Sequence, residues 1–224
     1  MIKIQTYLPA FTDTLRRAFG RRLCYVGLQG SYLRGEATEQ SDIDVMVILD
    51  GLTAEDLERY RVLVAQTEEP EKACGFICGR AEMAHWNPLE ICHLLHTTRD
   101  YFGSLQNFVP DYTQDDILNY VKLSLGNLYH GLCHTRIHAP EQTLRQALPE
   151  LYKQVFFILQ NLHFLRTGDF YGTKKDLLPR LSGSDHTALQ WAIAHRGQDD
   201  WDTDSAFRLL FDWCQSTLNH LTKL

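Results

Sequence analysis

The chain has 224 residues, 44% of them hydrophobic, 22% charged and 11% aromatic, which suits a globular protein of one large or two small domains. No segment approaches the long uncharged apolar run of a membrane span, and the N-terminal stretch lacks the apolar core of a signal peptide, so the protein is expected in the cytoplasm. The formal net charge of −6 argues against a grip on long nucleic acid, which needs basic excess, and leaves room for a small, even cationic, partner.

In chain order, residues 6–19 carry apolar side chains at helical spacing (Leu8, Phe11, Leu15, Phe19) and stop at Gly20, which predicts an amphipathic helix. Leu23–Leu28 reads as a short buried strand running into Gly30, and Ser31–Ala37 as one or two helical turns. Ile43–Leu49 is β-branched and apolar, a second strand. Thr53 is placed to cap a helix reaching Ala65. Two further strand-like runs follow, Cys74–Cys78 and Leu89–Leu95.

The stretch from Gly103 to Pro110 reads as a connector. Beyond it the pattern is helical throughout. Thr113, with Asp115 and Asp116 behind it, opens a long amphipathic helix to His138. Leu151, Val155, Ile158, Leu159, Leu162 and Leu165 form the stripe of the next helix, which Gly168 stops. Shorter helices are expected near 174–181, 185–196 and 204–222. The fold class is therefore α+β: a mixed sheet with helices over residues 1–105, then an all-α bundle over 112–224. The six cysteines are scattered with no Cys-x-x-Cys pair, the pattern of buried, reduced thiols.

One stretch carries chemistry, Gly30-Ser31-Tyr32-Leu33-Arg34-Gly35 followed by Ser41-Asp42-Ile43-Asp44-Val45. Gly30 ends a strand where the backbone must turn closely, and Ser31 opens a short helix whose free N–H groups suit phosphate. Asp42 and Asp44 lie two apart at a strand start, so both carboxylates leave from one face. Carboxylates that close repel one another unless a cation lies between them, and hard oxygen ligands suit Mg2+, which also bridges triphosphate oxygens. A phosphate cradle beside a metal-binding pair makes a phosphoryl- or nucleotidyl-transfer site.

This stretch resembles the Gly-Ser and Asp-x-Asp signature of the DNA polymerase β nucleotidyltransferase superfamily, in particular its aminoglycoside (streptomycin/spectinomycin) adenylyltransferases and its minimal nucleotidyltransferases. The resemblance implies an N-terminal nucleotidyltransferase domain and a helical C-terminal domain. By the same resemblance Gly30 and Ser31 hold the β- and γ-phosphates of ATP, with Arg34 and Ser41 beside them. Asp42 and Asp44 then bind two Mg2+ ions, and AMP passes to an acceptor hydroxyl.

Such sites usually carry a third carboxylate, as ligand or as base. Minimal members place an Asp in the third strand, and Cys74–Cys78 has none. Glu90 is favoured, because its run Trp86-Asn87-Pro88-Leu89-Glu90 resembles a strand of the aminoglycoside enzymes and a Glu among apolar residues needs a reason. Glu82 is the alternative. In the helical half, the segment from Arg166 to Asp176 resembles one in which a lysine reaches back to the triphosphate from across an interdomain cleft. Lys174 is chosen for this, with Lys175 as fallback.

Other features are set aside as chemistry. His130, His134 and His138 recur every four residues on one helical face, suited in principle to zinc, but no Cys or carboxylate joins the stripe. Arg180 and His186 have the spacing of some helical ribonuclease toxins, yet a helix-breaking Leu181–Ser184 segment separates them. The acidic run 198–204 reads as a solvated loop and cap, able to steer a cationic acceptor. Trp201 and Trp213, taken as exposed, leave a homodimer open. The preferred function is AMP transfer to a small molecule such as an aminoglycoside. The alternatives are an antitoxin-like enzyme modifying protein or RNA, and a decayed nucleotide-binding module.

Overall fold

The structure, a computed structural model, describes residues 2–195 and 200–221. The chain divides into two compact units, Met1–Tyr112 and Thr113–Leu224.

The first unit begins with α1 (Ile4–Phe19), whose Tyr7, Leu8, Phe11, Leu15 and Phe19 are buried on one stripe. Then follow β1 (Leu23–Leu28), the five-residue α2 (Gly30–Arg34) and β2 (Ile43–Leu49). Next come α3 (Ala54–Val64), β3 (Ala73–Gly79), α4 (Arg80–Ala84), α5 (Pro88–His96) and β4 (Arg99–Phe102). The strands form one mixed sheet in the order β3-β2-β1-β4. β1 pairs antiparallel with β2 and β4, and β3 pairs parallel with β2, as a crossover through α3 allows.

Alternation along β2 divides the core in two. Ile43, Val45, Val47 and Leu49 pack with α1 on one side, while Met46 and Ile48 join Tyr25, Cys78 and Met83 on the other. Asp42 and Asp44 share the parity of Met46. Gly75 lets β3 lie close to β2: its φ is +147°, and a Cβ there would sit 2.2 Å from the Val45 carbonyl oxygen.

The run Leu89–Leu95, expected as a strand, is the helix α5. Asn87 Oδ1 accepts the Leu89 N–H at 3.2 Å, Pro88 takes the first helical position, and Ile91 and Cys92 are the buried residues. Periodicity alone cannot tell so short an apolar run from a strand. The fourth strand is instead Arg99–Phe102, whose Arg99, Asp100 and Tyr101 are exposed at the sheet edge and carry no apolar alternation.

The second unit is helical: α6 (Gln114–His138), α7 (Glu141–Thr167), the single turn α8 (Lys174–Leu177), α9 (Gly183–Ala194) and α10 (Thr203–Leu221). A 3-10 turn, Leu178–Arg180, continues α8. Capping boxes open both α3 and α6, through Thr53 with Asp56 and Thr113 with Asp116. Trp201 and Trp213, expected at the surface, are core residues at 7% and 1% exposure. Arg145 donates to the Trp201 carbonyl at 2.8 Å and covers its ring, while the Trp213 indole donates to Asp185 Oδ1 at 2.8 Å. Buried in this way, they give no support to a homodimer.

The ends of the helices expected at 185–196 and 204–222, and Gln198 and Asp199 of the acidic run, lie outside the described residues. Within the rest of that run, Asp202 Oδ1 accepts the Ser205 N–H at 2.8 Å and Asp204 pairs with Arg136 and Arg208. All six cysteines are free, three buried and two half-buried, but Cys74 is exposed, contrary to the expectation of buried thiols. Among the described residues no helix is long and apolar enough to cross a membrane.

Candidate active site

The turn between β1 and α2 brings the sequence motif together. Gln29 donates its backbone N–H to the Asp44 carbonyl at 2.9 Å, and its side-chain amide donates to Thr98 Oγ1 at 2.8 Å. The next residue, Gly30, has φ +67°, and a Cβ built there would lie 1.8 Å from Asp44 Oδ2. Glycine is required twice over, by its backbone and by the carboxylate pressed against it. Ser31 follows, half-buried, at the start of α2.

Asp42 is exposed and precedes β2; Asp44 is half-buried within it. Burial and then the charge of Asp42 push the Asp44 carboxyl up, while a hydrogen bond with Cys74 and the charge of Arg34 pull it down. A carboxylate pair in this condition is short of positive charge. Arg34 supplies part of it, although its Nε donates to Glu36 Oε2 at 3.1 Å. Ser41 closes the turn leading into the pair: its Oγ accepts the Thr38 N–H at 2.8 Å and its N–H donates to the Thr38 carbonyl at 3.1 Å.

The group on the third strand beside Asp44 is Cys74. The parallel register of β2 and β3 puts these two residues opposite each other, and their side chains hydrogen-bond. The sequence shows that β3 lacks an Asp, but only its register tells which residue stands beside Asp44. Partial desolvation of this largely exposed thiol, then the charge of Asp44, raises Cys74, which therefore stays protonated.

Glu90 stands elsewhere than expected. It is exposed on α5, not set in an apolar strand, and its Oε2 accepts the Trp86 indole N–H at 2.6 Å. The argument from a carboxylate among apolar strand residues therefore falls. Glu82 is also exposed, folded over the start of α4, where a Cβ on Gly79 would meet its Oε2 at 1.9 Å.

Two histidines of α5 were not singled out in the sequence. Burial, then the charges of His96 and Arg34, hold His93 down to about 4, and burial lowers His96 as well. Both are neutral at neutral pH. In the helical unit Lys174 is half-buried with its Nζ 5.3 Å from the Phe156 ring centre, and Lys175 is exposed. The α8 N-terminus is capped by Thr173, which accepts the Asp176 N–H at 3.1 Å. Arg180 lies over the Tyr171 ring before the break at Leu181, and His186 lies on α9 after it.

Among the described residues no three His, Cys, Asp or Glu side chains are grouped to hold a metal ion. The Asp42–Asp44 pair nonetheless fits Mg2+, which keeps several waters and is held by one or two carboxylates plus substrate phosphates.

Residues 13–77 match the nucleotidyltransferase domain family. The match contains Gly30, Ser31, Arg34, Ser41, Asp42, Asp44 and Cys74, and stops short of Glu82 and Glu90. A provisionally named protein adenylyltransferase of Methanocaldococcus jannaschii is 37% identical over 60 residues, 27% of this chain and 41% of that protein. Protein adenylyltransferase MntA of Thermococcus cleftensis is 47% identical over 45 residues, 20% of this chain and 43% of that one. The chain thus spans about two fifths of the length of these curated relatives. Among solved structures, a spectinomycin adenyltransferase from Enterococcus faecialis, with ATP and spectinomycin, is similar at a TM-score of 0.58 and 12% identity. That likeness covers 94% of this chain and 99% of the other, and at such identity it shows the fold: a nucleotidyltransferase fold with a helical C-terminal region.

Proposed function

We propose that the protein, whose residues 13–77 match the nucleotidyltransferase domain family, is a Mg2+-dependent enzyme transferring AMP from ATP to a hydroxyl of a small molecule. One observation carries the reading: the Asp42–Asp44 pair, with the Gly30 backbone pressed against the Asp44 carboxylate. Asp42 and Asp44 would hold Mg2+, which when bound would neutralise charge on the triphosphate and polarise the reacting oxygens. The chain's own work is positional. The N–H groups of the Gly30–Ser31 turn bind phosphate oxygens, the Thr38–Ser41 turn sets the approach of Asp42, and Arg34 adds a cation. Glu90, placed on α5 with its Oε2 accepting the Trp86 indole N–H, stays the proposed third carboxylate.

The small-molecule acceptor is favoured by a fold likeness that covers 99% of a spectinomycin adenyltransferase and 94% of this chain. A second reading, transfer to a hydroxyl on a protein, is favoured by the names of the two curated relatives. Calorimetry of ATP with and without Mg2+, on wild type and on Asp42→Ala/Asp44→Ala, tests the common core. Metal-dependent binding that weakens by about 100-fold or more in the double variant supports it. No ATP binding by wild type in saturating Mg2+ would overturn it and leave a decayed module. ATP labelled at the α-phosphate then separates the acceptors, since the label moves either to an aminoglycoside or to a protein.

A further inference from the structure

The proposed adenylyl transfer assigns no role to the three exposed histidines of α6, His130, His134 and His138. A helix turns 100° per residue, so these three fall within about 80° of one another, on the side opposite the buried Leu125, Leu128 and Leu132. Their rings stand in sequence: His130 and His134 have centres 6.0 Å apart, His134 and His138 4.8 Å apart. Two imidazoles on one tetrahedral ion, with metal–nitrogen bonds of about 2.0–2.1 Å, hold their ring centres about 5 Å apart. The two observed spacings lie on either side of that value. Residues four apart on a helix are neighbours about 5–6 Å apart at Cβ, a spacing that lets each pair share one ion through rotamer choice alone. His130 and His138 are two turns apart, about 12 Å along the axis, and do not share an ion. This agrees with the absence of a three-ligand group among the described residues.

We propose that α6 carries a surface site for one borderline divalent cation of the Zn2+ or Ni2+ class, in which His134 is the common ligand and either His138 or His130 completes the pair. The donors are imidazole nitrogens, so the site prefers such ions over Mg2+, the opposite of the oxygen-only pair at Asp42 and Asp44. Water fills the remaining coordination positions, which are open to solvent.

The sharing of His134 gives the site a signature. The full-length protein, stripped with EDTA, is titrated with Ni2+ in a calorimeter in excess Mg2+, so that the carboxylate pair is already supplied with its preferred ion. The expected result is one Ni2+ per chain. His134→Ala destroys both pairs and weakens binding by at least about 10-fold, the loss that follows when two linked donors become one. His130→Ala and His138→Ala each leave one pair intact and cost less than His134→Ala. The double variant His130→Ala/His138→Ala falls to the level of His134→Ala. Circular dichroism checks that each variant keeps its helix. Ni2+ binding by His134→Ala equal to that of wild type would overturn the proposal, as would no Ni2+ binding by wild type. The test reads no nucleotide, so its failure leaves the adenylyl-transfer reading untouched.

Discussion

At Gly30 a positive φ and a carboxylate in van der Waals contact meet at one Cα. An alanine there keeps the left-handed backbone only at about 1–2 kcal/mol, and its methyl group displaces the Asp44 side chain. Gly30→Ala is therefore expected to lower the thermal midpoint modestly while weakening Mg2+-dependent ATP binding by about 10-fold or more. A folded variant that binds ATP as wild type does would show that the contact is only structural. Cys74 offers the reverse experiment. A neutral thiol stands beside Asp44, so Cys74→Asp adds a third negative charge next to the pair. One charge at close range in a partly buried site is worth about 1 kcal/mol, so Mg2+ affinity should rise about 5-fold in a metal titration. Unchanged affinity would mean that the ion is held away from β3.

At the scale of elements, two helices begin with the same capping box, but their carboxylates have different further partners. Asp116 bonds only within its box among the described contacts, at 2.8 Å to the Thr113 N–H. Asp56 bonds to the Thr53 N–H at 2.9 Å and also pairs with Arg22, whose Nη1 donates to its Oδ1 at 3.0 Å. Arg22 in turn donates to the carbonyls of Asp50 and Gly51, tying the β2–α3 turn to the start of β1. Asp116→Ala should cost about 1 kcal/mol in urea denaturation, the usual worth of a cap. Asp56→Ala should cost more, because it also releases Arg22 from the turn. Equal losses would mean that the Arg22 pair contributes nothing.

The same elements show what the sequence carries. Thr53 and Thr113 are legible because a cap is a local rule, and β1, β2 and the Gly30–Asp44 motif because strand, turn and carboxylate spacing are local as well. Leu89–Leu95 misleads because a run of seven residues, five of them apolar, fits either periodicity, and the deciding signals are Asn87 and Pro88 just before it. β4 has no apolar pattern because it is an edge strand, held by pairing with β1. Trp201 and Trp213 become core through α7 and α9, partners distant in sequence. Cys74 acquires meaning only from the β2–β3 register. What is missed, apart from α5, is set by tertiary pairing.

For the whole molecule, the same dependence on tertiary surroundings governs the response to acid. Burial holds His93 at about 4 against an ordinary 6.5, and lowers His96 and His163 in the same direction. A histidine with a depressed value binds its proton more readily when unfolded, so the stability it contributes is complete above pH 6.5 and is lost as the pH falls toward 4. Asp56, held at about 2 by Arg22, loses its contribution only below the ordinary carboxylate range. Asp44, raised by burial, acts in the opposite sense, since it takes up a proton more readily in the folded state. The acid loss between pH 7 and 4.5 is therefore mainly histidine-driven, and His93 alone should account for about 2 kcal/mol of it. Urea denaturation across this range should show wild type losing stability and His93→Gln losing it less steeply. Parallel curves for the two proteins would mean that His93 is hydrated in solution and that the acid sensitivity arises elsewhere. A flatter curve for His93→Gln would identify its neutral ring as the group through which the N-terminal unit feels mild acid.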